Sequence, residues 1–254
     1  MSDFENTVAA TENSLEILSL IESHNGARLS AIARELDISK STAHSHLNTL
    51  RSYGYVTKKG EVYHLSLKFF HLGQHARNQN KRFRAAGEKV QELGESLNHS
   101  IDFDVEIDGR IMTLFHEADD STEVGLKEGD YLYVHTSSTG KAILAELPRE
   151  RVDEILDQWG MPTETRHTLT DRSTFIDELE HVKQRGYAVI DQEWLEGLRA
   201  VGVAVLLPSG QPFGALSAGG PTYRLTEEAI ENNVAPALLR AAENLEEEIQ
   251  DMVV

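Results

Sequence analysis

Hydrophobic residues recur at helical spacing on both sides of a short break in residues 29–50. This pattern predicts two amphipathic helices joined by a tight turn. Ser39 directly precedes the second helix and is a natural N-cap for it. The apolar positions are Ile32, Ala33 and Leu36 in the first helix and Ala43, Leu47 and Leu50 in the second.

The outer face of the second helix is polar. When its apolar positions turn inward, Ser41, His44, Ser45 and Asn48 point outward. Small, hydrogen-bonding side chains of this kind suit a groove of DNA, so the helix is a candidate recognition helix. An ordinary helical hairpin with its polar face in solvent is the alternative.

The flanking segments favour a winged helix. Residues 14–23 predict a first helix, with Ser14 as its cap and His24-Asn25-Gly26 at its end. Residues 53–65 predict two short strands joined by a turn that holds Lys58 and Lys59, where a wing would meet DNA phosphates. Either lysine taken alone is better explained as a solvated turn residue. The full set of candidate DNA contacts is Ser39, Lys40, Ser41, Thr42, His44, Ser45, Asn48, Arg51, Lys58 and Lys59.

The remainder predicts an α+β domain. Residues 67–98 are mainly helical, with a break at Gly73, and 76–98 form a linker helix that pairs with its twin in a dimer. Alternating patterns then predict a mainly antiparallel sheet with helices grouped around it. Strands are expected at 100–106, 111–117, 131–135, 186–191, 201–207 and 213–218, and helices at 141–146, 150–158, 174–185 and from a cap at Thr226. The predicted domains are 1–75, 76–98 and 99–254.

Composition narrows the class of protein. The start of the chain lacks a signal-peptide pattern, and no apolar run is long enough to cross a bilayer, so we expect a cytoplasmic protein without membrane contact. The absence of cysteine excludes disulfides, thiolate metal sites and cysteine nucleophiles.

The net charge of −18 argues at first against a nucleic-acid ligand. However, residues 1–75 carry seven basic and eight acidic residues, so nearly all the excess acid lies in the second part of the chain. Such an acidic surface suits a host with a salt-rich cytoplasm, although an acidic protein of an ordinary host is an equal alternative.

Several stretches in both halves resemble the IclR-type transcriptional regulators, in the same order. They are LSAIARELDISKSTAH at 29–44, GYV at 54–56, YHLSLKFFHLG at 63–73, HTSSTGKAILA at 135–145, LEHVKQRGYAV at 179–189, GLR at 197–199 and ALSAGGP at 215–221. The resemblance implies a winged-helix DNA-binding domain and a linker helix. It also implies a GAF-like effector domain, with dimers or dimers of dimers acting as repressors or activators at a double-stranded operator.

The resemblance also implies a small-molecule pocket over the sheet. Its residues would be Ser138, Thr139, Gly140, Asp191 and Ser217. A helix N-terminus with hydroxyls beside it suits a polar ligand group, although Ser137 to Thr139 acting only as a cap is the alternative. We expect no cofactor and no metal.

Three positions depart from the family pattern. Ala200 stands where many relatives have cysteine, Ile190 replaces the first acid of an acidic run, and Gly219 replaces a serine. We therefore expect a less polar pocket than one built for small keto acids, and a larger or less polar effector such as a sugar-derived or aromatic acid.

Two other functions remain open. An enzyme or metal site is suggested by Asp102, Asp104, Glu106 and Asp108 followed by His116, Glu117, Asp119 and Asp120. We interpret the alternating acids as the solvent face of a strand instead. The second alternative is a ligand-binding protein whose winged helix contacts protein rather than DNA.

Overall fold

The computed structural model describes residues 7–118 and 126–252. It divides into two compact units, Met1–Gln79 and Asn80–Val254. The first unit is helical with a small sheet, and the second combines a six-stranded sheet with helices, which confirms the α+β prediction. No helix in these described ranges is both long and apolar enough to cross a membrane.

The first unit is a winged helix. Its sheet has the order β1-β3-β2, and its core is formed by buried side chains such as Ile17, Ile32 and Leu47. The elements are α1 Ala9–Ser23, β1 Ala27–Arg28, α2 Leu29–Glu35, α3 Lys40–Ser52, β2 Val56–Lys59, β3 Val62–Leu65 and α4 Lys68–Gln79.

The first helix begins earlier than its predicted cap. It starts at Ala9, so Ser14 lies inside the helix and does not cap it. The Ser14 hydroxyl instead lies 2.8 Å from Nδ1 of His46 on α3, which ties the two helices together. The predicted end is confirmed, since Asn25 and Gly26 both adopt positive φ after α1.

The helical segment after the hairpin breaks at Asn80 and not at Gly73. Gly73 lies within α4, whereas Asn80 separates α4 from α5 (Lys81–Ser96). The Asn80 side chain accepts a hydrogen bond from the Arg82 backbone N–H at 3.0 Å and so caps α5. The predicted linker helix is therefore two helices, and the second buries Ala85, Ala86, Val90 and Leu93 in the core of the second unit.

The second unit is built on one antiparallel sheet with the strand order β6-β5-β4-β9-β8-β7. Its strands are β4 Ser100–Ile107, β5 Arg110–Glu117, β6 Tyr131–Tyr133, β7 Ala188–Asp191, β8 Leu198–Leu206 and β9 Pro212–Pro221. Its helices after α5 are α6 Ser138–Ala145, α7 Arg149–Trp159, α8 Arg172–Arg185, α9 Glu227–Ala229 and α10 Ala235–Ile249.

The C-terminal helix is interrupted. Thr226 caps α9 as predicted, with its hydroxyl accepting from the Ala229 N–H at 3.2 Å. A π-helical turn, Ile230–Val234, then precedes α10, which carries Pro236 in its first turn. Proline has no N–H to continue the regular helical hydrogen bonds, which explains why the single predicted helix is divided here.

Helices cover both faces of the central strands. The helices α5 and α10 pack on one face, where Ile101, Phe103 and Val105 of β4 join the larger core cluster. The helix α6 packs on the other face, against β8 and β9. The central strand β4 therefore has no solvent-facing side along most of its length.

Gly202 allows α6 to approach the sheet closely. A Cβ atom at this position would lie 2.5 Å from the carbonyl carbon of Ser138 and 2.7 Å from the Thr139 nitrogen. Both obstacles are backbone atoms, which cannot move without shifting the start of α6. The glycine therefore sets the distance between the helix N-terminus and β8.

We expect Gly202→Ala to lower the free energy of unfolding by about 1–3 kcal/mol, because overpacking forces the backbone apart. Gly219→Ala on the neighbouring strand is the control, since its added Cβ would lie an ordinary 3.8 Å from the Ala200 Cβ. Urea unfolding of both variants measures the difference. Equal stability of the two would contradict the close approach of α6.

Candidate functional site

The outer face of α3 presents the predicted polar side chains. Ala43, Leu47 and Leu50 are buried, and the opposite face exposes Ser41, His44, Ser45 and Asn48. The Ser39 hydroxyl accepts a hydrogen bond from the Thr42 N–H at 3.0 Å, which confirms the predicted N-cap. The exposed Lys40 and Arg51 lie at the two ends of the same helix.

Hydrogen bonds hold these side chains in place. The Ser45 hydroxyl donates to the Ser41 carbonyl at 3.0 Å, and Asn48 Nδ2 lies 3.2 Å from His44 Nδ1. Thr42 is half-buried, with its hydroxyl 2.8 Å from the Ser39 hydroxyl, so it faces the cap more than the outer surface. Serine oxygens and the Asn48 carbonyl oxygen keep free lone pairs, which leaves an ordered row of groups that can bind base edges.

The two wing lysines lie in strand β2 and not in the turn. The turn is Gly60-Glu61, with glycine at the first central position, where a two-residue hairpin requires positive φ. Lys58 is partly buried, with Nζ 3.5 Å from Glu61 Oε1 and 5.3 Å from the Tyr63 ring centre. Lys59 is exposed. Lys59 is therefore more accessible to a binding partner than Lys58.

A second candidate site is a cavity between the N-terminus of α6 and the sheet of the second unit. Its volume is about 40 Å³, enough for a few water molecules or the polar group of a small ligand. The lining residues are Ser100, Asp102, Asp104, His116, Leu126, Leu132, Thr136, Ser137, Ser138, Thr139, Ile190, Trp194, Leu198, Ala200, Ser217 and Gly219.

Asp102 and Asp104 are the polar centre of this cavity, which corrects their interpretation as a solvent-facing row. Only 6% of Asp102 and 2% of Asp104 is exposed. The alternation along β4 is present as expected, but α6 covers the polar side of the strand. Their carboxylates therefore point into the protein.

Asp102 is fully paired. One carboxylate oxygen lies 2.6 Å from Nδ1 of His116, and the other accepts a hydrogen bond from the Ser217 hydroxyl at 3.2 Å. This contact with Asp102 raises the pKa of His116 above its ordinary value. The contact between Asp102 and His116 therefore joins β4 to the neighbouring strand β5.

Asp104 is only partly paired. Its Oδ2 accepts a hydrogen bond from the Thr139 hydroxyl at 2.6 Å, but Oδ1 has no partner within the part of the chain that the structure describes. Burial, together with the nearby charge of Asp102, raises the pKa of Asp104 to about 8. Asp104 is therefore mainly protonated at neutral pH.

The structure brings three of the five predicted effector residues to the cavity: Ser138, Thr139 and Ser217. Gly140 does not line it, because this residue packs against Val134 with its N–H bonded to the Ser137 hydroxyl at 3.0 Å. Ser137 is thus the cap of α6.

Asp191 also lies outside the cavity. Because neighbouring residues of β7 point to opposite faces, Ile190 reaches the cavity and the Asp191 carboxylate pairs with Arg199 at 2.7 Å. The Arg199 guanidinium lowers the pKa of Asp191. Asp191, which the family resemblance places in the pocket, therefore forms an ion pair at the surface instead.

The three departures from the family pattern, Ile190, Ala200 and Gly219, all line the cavity. They make one wall apolar, as expected. Two carboxylates of β4 add polar groups to another wall, and the expectation of a larger or less polar effector stays a prediction.

The wall near Trp194 is tied to α6 by a buried ion pair. Lys141 Nζ lies 2.7 Å from Glu193 Oε1, and both side chains are at least nine-tenths buried. The Thr165 and Thr168 hydroxyls donate to the backbone carbonyls of Gln192 and Glu193. These contacts fix the segment that carries Trp194.

The structure gives no support for a metal site. Among the residues described, no cluster of three or more His, Asp or Glu side chains could hold an ion. Asp119 and Asp120, which the enzyme alternative invoked, lie outside the described residues.

Comparisons with known proteins agree in both units. A model of the IclR helix-turn-helix domain matches residues 10–60, and a model described as bacterial transcriptional regulator IclR C-terminal matches residues 77–247. The chain is 30% identical over 243 residues to a probable HTH-type transcriptional regulator ArcR of Halobacterium salinarum, covering 94% of this chain and 92% of that protein.

Solved structures share the fold. A putative transcriptional regulator from Rhodococcus sp. RHA1 superposes with a TM-score of 0.82 at 24% identity, covering 95% of this chain and 98% of that one. The inducer-binding domain of a PobR double mutant from Acinetobacter, in complex with 3-hydroxybenzoic acid, gives a TM-score of 0.59 at 25% identity. It covers 64% of this chain and 96% of that domain.

We expect Asp104→Asn to stabilise the protein increasingly as the pH rises from 4 to 8. In the wild type, folded Asp104 keeps its proton up to about pH 8, whereas the unfolded chain loses it near its ordinary value of 3.8. Stability therefore falls over this window, by at most about 1.4 kcal/mol per pH unit, and the asparagine variant lacks this loss.

Denaturant unfolding of wild type and variant at several pH values measures this difference. The difference in free energy of unfolding should grow up to about pH 8 and then level off. Asp177→Asn, at an exposed aspartate of α8, is the control. A difference that stays constant with pH would show that Asp104 is ionised in the folded protein.

Proposed function

Because the chain belongs to the IclR family of transcriptional regulators, we propose that it binds a specific operator as a dimer and releases or tightens that contact when a small molecule fills the cavity under α6. DNA binding through the winged helix and effector binding in the C-terminal domain are properties of this family, whose members are regulators and not enzymes. The observation that carries the proposal for this chain is the cavity under α6, whose lining includes buried hydroxyl and carboxyl groups.

The recognition helix supplies the sequence-reading groups. Ser41, His44, Ser45 and Asn48 form one exposed face, while Lys40, Arg51 and Lys59 lie around it as phosphate contacts. A groove lined by Asn48, Arg51, Ser52, Thr57 and Lys58 runs from α3 to the hairpin. This arrangement supports base contact by the helix and backbone contact by the wing.

The helix α4 supports a dimer. None of its residues is buried within its own unit, and Phe70 is 66% exposed. Leu67, just before the helix, and Leu72, within it, are exposed as well. A second copy of the chain would cover these apolar side chains and place two recognition helices on successive turns of DNA.

The effector changes the affinity of the protein for DNA if it binds the DNA-bound and DNA-free arrangements of the protein with different affinities. By thermodynamic linkage, DNA must then change the effector's affinity by the same factor. We place this regulation in the cytoplasm, where the operator is. From the family resemblance we also infer that dimers assemble further into tetramers. An acidic surface adapted to a salt-rich host stays a prediction from composition.

A binding titration tests the regulator proposal. The full-length protein should bind a duplex from the region upstream of its own gene more tightly than random duplex of the same length. Equal affinity for both would contradict the proposal and would favour the alternative in which the winged helix contacts protein.

The double variant Ser41→Ala, Ser45→Ala should lower the preference for the operator over random DNA by about 5- to 100-fold, because lost base contacts cost about 1–3 kcal/mol. Lys59→Ala should weaken both duplexes alike, because a phosphate contact carries no sequence information. Fluorescence anisotropy measures both ratios. Ser209→Ala, an exposed serine of the other unit, is the control, and equal behaviour of the two test variants would contradict this division of roles.

Phe70→Asp should raise the dimer dissociation constant at least tenfold, because it places a charge in the proposed apolar interface. Sedimentation equilibrium over a range of protein concentrations measures this constant. Tyr223→Asp, at an aromatic residue that is 77% exposed in the other unit, is the matched control. If Phe70→Asp leaves the constant unchanged, α4 does not form the interface.

A further inference from the structure

The stretch of residues 62–87 is basic, although the chain as a whole is acidic. It contains five Lys or Arg residues and no Asp or Glu, whereas the whole chain has 24 basic and 42 acidic residues. The stretch covers β3, the helix α4 and the start of α5. Its five cations are Lys68, Arg77, Lys81, Arg82 and Arg84. With no acid to offset them, they give the stretch a net charge of +5.

Three of these cations make contacts within the protein. Lys68 Nζ donates a hydrogen bond to the backbone carbonyl of Tyr53 at 2.8 Å. Arg77 donates to a neighbouring glutamine of α4 at 2.8 Å. Arg82 is half-buried, and its Nε donates to the backbone carbonyl of Ile249 at 3.3 Å. The structure of the protein itself therefore accounts for these three.

The other two cations, Lys81 and Arg84, are exposed. No hydrogen bond or ion pair joins either side chain to another residue in the described ranges, and this includes the exposed Glu88, four positions after Arg84. Because they are three residues apart on α5, they lie on the same side of the helix. Both charges are therefore available to an external anion.

The helix α5 does not need these two cations for its own stability. Asn80 already caps it by accepting a hydrogen bond from the Arg82 N–H at 3.0 Å. The first turn of a helix carries partial positive charge, so Lys81 and Arg84 are unfavourably placed with respect to the helix dipole. Their position is explained better by a negatively charged partner than by the folding of α5.

The chain keeps this pair within reach of DNA bound at α3, whatever the orientation of the second unit. Lys68, the first residue of α4, is bonded to Tyr53, which directly follows α3. The 12 residues of α4 span about 18 Å, and the step from Gln79 to Lys81 adds at most about 7 Å. With the Lys68 side chain included, Lys81 lies within about 35 Å of the end of α3, roughly one helical turn of DNA.

We propose that Lys81 and Arg84 bind phosphates of the duplex beside the segment that the recognition helix reads. This contact is electrostatic, so it adds affinity for any sequence and no specificity. It supplements the few cations of the winged helix, and it gives the unit that contains the cavity a DNA contact of its own. The inference rests on the proposed function as a DNA-binding regulator.

The double variant Lys81→Ala, Arg84→Ala tests this contact through its dependence on salt. Fluorescence anisotropy with the full-length protein measures Kd for the upstream duplex and for random duplex between about 50 and 200 mM salt. Each lost phosphate contact lowers the slope of log Kd against log salt by about 0.9, and a dimer loses two to four of them, so we expect a slope smaller by about 2–4. At 100 mM salt both duplexes should bind at least about tenfold more weakly.

The double variant Lys127→Ala, Arg240→Ala is the matched control. It removes one lysine and one arginine from exposed positions of the second unit outside the basic stretch, and it should leave the slope unchanged. The exchange Lys81→Arg, Arg84→Lys keeps both charges and should retain the wild-type slope. Melting curves show that each variant is folded.

Equal slopes for Lys81→Ala, Arg84→Ala and for its matched control would overturn the proposal. A dimer dissociation constant raised by Lys81→Ala, Arg84→Ala in sedimentation equilibrium would overturn it too, because the two cations would then contact a second copy of the acidic chain and not DNA.

The two duplexes separate this inference from the regulator proposal. If Lys81→Ala, Arg84→Ala keeps both the preference for the upstream duplex and the wild-type slope, the regulator proposal stands and the phosphate contact fails. If the wild type shows no preference for the upstream duplex, the regulator proposal fails, and the slope on random duplex still decides whether the two cations bind phosphates.

Discussion

The burial of two carboxyl groups side by side on β4 is the constraint that organises the second unit. Burying charge is costly unless each group is paired, and the surrounding elements supply the partners: His116 from β5, Ser217 from β9 and Thr139 from α6. Gly202 lets α6 come close enough for Thr139 to reach Asp104. The sheet, the helix and the cavity thus depend on one set of hydrogen bonds.

The elements that sequence analysis predicted well are those whose signals are local. The Ser39 cap acts on a residue three positions ahead, and the inner face of α3 follows from its own periodicity. The alternation of acidic residues along β4 is also visible in the sequence. A repeat of two residues does not show, however, whether a helix distant in the sequence covers the polar side of the strand. That covering by α6 is a long-range contact, which is why the sequence pattern alone predicts solvent-facing side chains at Asp102 and Asp104.

The pocket residues assigned from the family resemblance show the same distinction between local signals and long-range contacts. Ser138, Thr139 and Ser217 reach the cavity because they sit at an element end or on a strand whose register the resemblance preserves. Asp191 does not, since a shift of one residue along a strand reverses the direction of the side chain. Its neighbour Ile190 occupies the wall, and no property of the isolated sequence distinguishes the two.

The sparse cations of the recognition surface have a further consequence. An attraction carried by many phosphate contacts fades steeply as ions accumulate, because each contact depends on releasing counterions. The base-edge hydrogen bonds proposed for Ser41, His44, Ser45 and Asn48 would carry no such dependence. Under the proposed function, the share of operator occupancy that rests on these bonds would then change little when the cell concentrates its ions, whereas a lysine-rich regulator of equal affinity would dissociate.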